Sequence, residues 1–175
     1  MNSSITKKLK NEKGIQKALD SIVYINSDDH AFYMHKLLYS GNMSEYDIAT
    51  KLFFKNTKYT DTDEHLGEGS YGSVFTVIDT KNNIYAVKMT EITDEISMID
   101  EIRLNVLFSD NDVGPLVYET YIIDVNGEKF GFIIMEKLEK TLADYLVDGG
   151  IISDGKSRFK KKMDEMKTLF KKTLE

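Results

Sequence analysis

The sequence predicts an α+β fold in which β-hairpins and one intervening helix form the central layer and further helices flank it. Three observations carry that prediction. Residues 73–79 and 84–89 are rich in Val, Ile, Phe and Tyr and are joined by the turn-forming Thr80-Lys81-Asn82-Asn83, which reads as one hairpin. Residues 116–124 and 130–136 repeat the pattern around Val125-Asn126-Gly127-Glu128-Lys129, and Asn-Gly is a favoured hairpin turn. Between the pairs, Ile96, Ile99, Ile102, Val106 and Leu107 recur at helical spacing over Asp94 to Ser109.

Taken in order, residues 1–58 read as a helical extension. Gly14 to Ile25 and His30 to Tyr39 are the first two helices, and a third runs from after Ser44 to about Phe54. Its start is marked by Ser44-Glu45-Tyr46-Asp47, a capping-box-like signal. The segment holds no catalytic constellation and reads as a cap packed on the rest of the chain or as a partner-binding arm. His30 and His35, with Asp28 and Asp29 beside the first, invite comparison with a metal site. A helix sets residues i and i+5 on different faces, so no metal site is assigned.

The segment that carries chemistry is Leu66-Gly67-Glu68-Gly69-Ser70-Tyr71-Gly72-Ser73-Val74, followed on the next strand by Ala86-Val87-Lys88. Strand-like runs on both sides put the glycines at the bend of a hairpin. A dinucleotide-binding fold would need them to open a helix, and a Walker loop would need Gly-Lys-Ser/Thr after its last glycine. Neither holds. The combination resembles the glycine-rich loop and third-strand lysine of the eukaryotic protein kinases.

The resemblance covers roughly residues 59–175. It implies a lobe of five antiparallel strands and an αC helix over 59–140, preceded by the extension and followed over 141–175 by the start of a second lobe. Asp94 to Ser109 would be αC, with Glu101 orienting Lys88 as the family's helix glutamate does; Glu95 is the alternative. Met135 would be the gatekeeper, and Glu136 to Leu138 the hinge backbone that hydrogen-bonds adenine. The implied nucleotide site is Leu66 to Val74, Ala86, Lys88, Met135, Glu136 and Leu138, with Val74 and Ala86 sandwiching the base. Thr141 to Val147 and Ser157 to Leu174 resemble the helices after the hinge.

The motifs that would follow, His-Arg-Asp with a downstream Asn and then Asp-Phe-Gly, do not occur in the sequence, and all three histidines precede the glycines. ATP is therefore expected to bind weakly or conditionally, Mg²⁺ lacks its usual ligands, and no useful turnover is expected of this polypeptide alone. Two other functions remain open: a non-catalytic interaction module acting on another kinase or partner, and the remnant of a shortened gene.

The terminal helix adds an apolar stripe of Phe159, Met163, Met166, Phe170 and Leu174 beneath a lysine-rich face. The stripe folds back on the lobe or meets a partner. The chain has 175 residues, enough for one domain or one lobe with an appendage. It has no cysteine and no N-terminal hydrophobic signal, which points to a reducing, cytoplasmic compartment. No apolar run approaches the roughly 18–20 residues that cross a bilayer. A net charge of −6 argues against a general nucleic-acid coat. Lysine far outnumbers arginine, and Asn and Ile are frequent, as in AT-rich genomes such as those of large DNA viruses or parasites.

Overall fold

The computed structural model describes residues 13–39, 43–69, 72–110 and 114–139. The chain divides into two compact units, Met1–Lys137 and Leu138–Glu175, and every described helix and strand belongs to the first. The elements are helix α1 (13–20), strand β1 (Val23–Asn26), a 3-10 turn (Ser27–His30), helices α2 (Ala31–Tyr39) and α3 (Glu45–Asn56), strands β2 (Tyr59–Gly69), β3 (Gly72–Asp79) and β4 (Ile84–Ile92), helix α4 (Glu95–Asp110), and strands β5 (Val117–Val125) and β6 (Glu128–Glu136). The expected helices over 141–147 and 157–174 lie outside the described residues.

The strands form one six-stranded mixed sheet in the order β1-β5-β6-β4-β3-β2. Every neighbouring pair is antiparallel except β1 with β5, where Val23 to Asn26 run parallel to Tyr121 to Asp124. The fold departs from the sequence expectation at two points. The sheet has six strands rather than five, and the helix expected over Gly14 to Ile25 ends at residue 20. The run Ile22-Val23-Tyr24-Ile25 is β-branched and aromatic, so it gains more as a strand on the free edge of β5 than as a further helical turn. The Asn26 side chain then accepts a hydrogen bond from Asp28 N–H and starts the 3-10 turn.

The remaining elements follow their local signals. Ser44 caps α3 through a reciprocal pair of hydrogen bonds with Asp47, each 3.2 Å. Asn126 and Gly127 both have positive φ, as a two-residue hairpin turn requires. Asp79 organises the β3–β4 turn: Oδ1 accepts from Lys81 N–H and Asn83 N–H, at 2.8 and 2.9 Å, and Oδ2 from the Asn83 amide and the Tyr85 hydroxyl. These bonds, led by that from the Asn83 side chain, hold the Asp79 carboxyl down to about 2.

Both faces of the central strands are covered, whereas β2 at the edge is largely exposed. On one face, Ile48, Ala49, Leu52 and Phe53 of α3, with Met34 and Leu37 of α2, pack on Val87, Met89, Phe130, Phe132 and Ile134. Phe53 lies at the centre, stacked on Phe132 at 4.6 Å between centroids and meeting Tyr121 edge-on at 5.5 Å. On the other face, Met98, Ile102 and Val106 of α4 pack on Ile122 and Ile133, joined by Ile15, Ala18, Leu19 and Ile22. The two sets alternate along β6, as a strand without a solvent face requires. At the margin, Glu119 accepts hydrogen bonds from Lys58 Nζ and the Tyr59 and Tyr121 hydroxyls, tying the segment after α3 to β5. Burial pushes this carboxyl up, but the bonds from Lys58, Tyr121 and Tyr59 outweigh it and hold it below the usual range.

Truncating Phe53 to Ala should cost about 3–5 kcal/mol, read as a lower denaturant midpoint with an unchanged slope. Asp79 has a lower pKa folded than unfolded, so its stabilisation is complete above the ordinary carboxylate range and is lost as pH falls from about 4 to about 2. Asp79→Asn should accordingly lose stability less steeply than the wild type across that interval in acid titrations followed by circular dichroism.

Candidate functional site

The glycine-rich hairpin joins β2 to β3, and its glycines differ in what the backbone asks of them. Gly72 has φ +118°, and a Cβ there would lie 2.0 Å from the Met89 carbonyl oxygen, so the fold itself requires glycine. Gly67 and Gly69 have no atom within 4 Å of a Cβ position. Glycine inside a strand weakens it, and these two are not required by local packing. Ser70 and Tyr71 lie outside the described residues.

Strand register decides which predicted residues meet. Directly opposed residues of an antiparallel pair share a face. Val74 opposes Lys88, which opposes Ile133; Thr76 opposes Ala86, which opposes Met135. Val74, Ala86, Lys88 and Met135 therefore lie together on the face that carries α4. Ser73 falls on the other face, where its hydroxyl is hydrogen-bonded to that of Tyr46 on α3. Leu66 and Glu68 on β2 are exposed.

Lys88 forms an ion pair with Glu101 of α4, and each side chain is about a quarter exposed. The pair depends on how closely α4 approaches the sheet. Met98, one turn before Ile102, rests against Gly131 of β6, where a Cβ would lie 2.5 Å from Met98 Cε. Ile102 and Val106 are buried beside it, and Glu101, adjacent to Ile102, reaches Lys88. Ile96, the first apolar residue of the predicted stripe, is instead 72% exposed. The side chain of Glu95 lies outside the described residues.

At the last residue of β6, the Glu136 N–H donates to the Leu116 carbonyl at 2.8 Å, and the Glu136 carboxylate accepts from Leu116 N–H at 3.2 Å. Glu136 N–H is thus held within the protein, while Leu138 is exposed and opens the second unit.

Two further residues, Thr76 and Glu64, stand at this face that sequence reasoning did not single out, and Lys137 is expected there only as hinge backbone. Thr76 shares the row with Ala86 and Met135. Glu64, from an irregular stretch of β2, forms an ion pair with Lys137 at 2.5 Å. The Glu64 carboxyl is held below its usual value, first by Lys137 and then by the nearby Thr76 hydroxyl, which itself makes no hydrogen bond of good geometry. The alternation along β3 could have found Thr76. No local motif links Glu64 with Lys137.

A cavity of about 450 Å³ opens beside the glycines on the α3 side, between Tyr46 and Phe75, with Asp61, Asp63, Glu64, His65 and Glu68 in its wall, so Glu64 at the irregular edge strand borders both faces. That wall repels a polyphosphate, whereas the α4 face offers the Lys88 ammonium. Among the described residues no group of three or more His, Asp or Glu side chains is placed to hold a metal ion, and no helix is long and apolar enough to cross a membrane. No protein-family model matches the chain, and no curated protein matches it.

Gly72→Ala should destabilise by about 1–3 kcal/mol or more, because the new Cβ meets backbone in a disfavoured φ region. Gly67→Ala and Gly69→Ala should remain within about 1 kcal/mol of the wild type. Equal losses at all three positions in urea unfolding would contradict this division.

Proposed function

We propose that the α4 face of the β2–β3–β4 region binds ATP or a related nucleoside polyphosphate, in the manner of a protein-kinase-like upper lobe. The observation that carries the reading is the Lys88–Glu101 pair, on the same face as Val74, Ala86 and Met135. A lysine on a half-buried sheet face is costly unless neutralised, and Glu101 both neutralises it and fixes its direction. The open space over Gly67 and Gly69 supports the same reading, since glycine within a strand often marks a place where a ligand approaches the backbone.

Each residue then has a role in binding. The amides around Gly67 and Gly69 would approach phosphate oxygens, and Lys88 would neutralise phosphate charge while Glu101 holds it in place. Val74 and Ala86 would contact the base, with Met135 behind them. Metal-assisted phosphoryl transfer asks for a base and metal ligands in addition, so the proposal is confined to binding.

One observation favours a second reading as a docking module. Ile96 and Leu104, on the outer side of α4, are 72% and 47% exposed. Kinase-like lobes that bind partners rather than nucleotide would use such a surface.

Thermal unfolding with ATP and ADP, with and without Mg²⁺, separates the two. Nucleotide at ten times its dissociation constant should stabilise the wild type by about 1.4 kcal/mol. Lys88→Ala should abolish the shift and Glu101→Gln should weaken it. Cooperative unfolding with no shift at millimolar nucleotide would sink the nucleotide reading and leave the docking module.

A further inference from the structure

We propose that the Glu64–Lys137 ion pair is a strap across the floor of the α4-side site, which must open before that floor can be reached. Lys137 directly follows β6 and Glu64 belongs to β2, yet in the sheet β4 and β3 lie between those strands. Their side chains nevertheless meet at 2.5 Å.

The backbone of β2 explains how Glu64 comes within reach. Pairing with β3 is regular from Tyr59 to Asp61, then slips between Asp61 and His65 and again between His65 and Gly67. Residues 62–64 thus stand opposite Thr76 alone. Asp63 takes φ +59°, which a carboxylate side chain tolerates, and its N–H is held by Asp61 Oδ1 at 3.0 Å. Thr62 Oγ1 donates to the Thr76 carbonyl at 3.0 Å and pins the bulge to β3. Such a bulge bends the strand and re-aims its side chains, and here it leaves the Glu64 carboxylate near the Thr76 hydroxyl.

The row Met135–Ala86–Thr76 runs across the sheet from β6 to β3. Lys137 stands two residues beyond its β6 end and Glu64 stands at its β2 end. The ion pair therefore spans the row, in which Thr76 and Ala86 are only 1% and 5% exposed. The Glu64 side chain is 49% exposed and that of Lys137 26%. A pair this wet is weak and opens readily, so it acts as a gate rather than a lock. That the gate admits a nucleotide base rests on the reading above, in which Ala86 touches the base.

The chain contains no cysteine, so Ala86→Cys supplies a sole thiol on the floor. Its rate of modification by the uncharged reagent N-ethylmaleimide would be measured alone and combined with Glu64→Lys, with Lys137→Glu, and with both. Each single charge reversal should speed labelling about two- to fivefold, the range an exposed ion pair allows, and the double reversal should restore the slow rate. Thr76→Cys, similar in side-chain volume, is the alternative reporter if Ala86→Cys folds poorly. Equal rates in all backgrounds, or a double reversal as fast as the singles, overturns the strap. Thermal shifts with ATP on wild type and Lys137→Ala complete the test. A larger shift in Lys137→Ala supports gating, and equal shifts overturn it. Labelling that responds while ATP shifts neither protein overturns the nucleotide reading and leaves the strap standing.

Discussion

Burial of β6 on both faces sets the rest of the molecule in place. Phe130, Phe132 and Ile134 face one core and Ile133 the other, so a helical layer is needed on each side. The α3 layer is aromatic and buried, centred on the Phe53–Phe132 stack. The α4 layer is thinner and drawn in tightly, because Gly131 leaves room for Met98 against the strand. That close approach brings Glu101 to Lys88. The one charged residue of β4 on this face is neutralised as a consequence of hydrophobic packing a turn away, which links the core to the chemistry of the site.

The two faces of the hairpin region consequently differ in character. On the α3 side the glycines border an open, acid-walled cavity and the Tyr46–Ser73 hydrogen bond. On the α4 side a lysine, a small buried alanine and a methionine share adjacent rungs of the ladder. The first repels a polyanion, whereas the second carries Lys88 with its charge balanced by Glu101. Discrimination between the faces is set by the period-two alternation of β3 and β4, so a register slip of one residue would exchange them.

Much of this was legible in the sequence. The hairpins at Asp79–Asn83 and Asn126–Gly127 carry strong turn chemistry, and β3 to β6 differ from their expected limits by at most a few residues at the ends. The capping box at Ser44 located the start of α3. Glu101 could be matched to Lys88 only through the family resemblance, as the helix glutamate that precedes Ile102, Leu104 and Leu107. β1 was not legible: four residues behind a helical pattern give an ambiguous short apolar run, and their partner strand has no local turn to announce it. α4 was only partly so. Its apolar residues go nearly all round, and which of them is buried was decided by Gly131 on another strand. The Glu64–Lys137 pair depends on a bulge whose only trace is the Asp61-Thr62-Asp63 sequence, polar and turn-prone within a strand.

The parallel pairing of β1 has a consequence for how the chain reaches this structure. Tyr121 to Asp124, the partners of Val23 to Asn26, are synthesised long after them, and every strand between can form first from neighbouring hairpins. On a ribosome Val23 to Asn26 have no strand partner until β5 has emerged. Closure of the sheet edge is then a late, non-local step. During that interval the unpaired segment is open to capture by a chaperone or by the edge of another molecule's sheet.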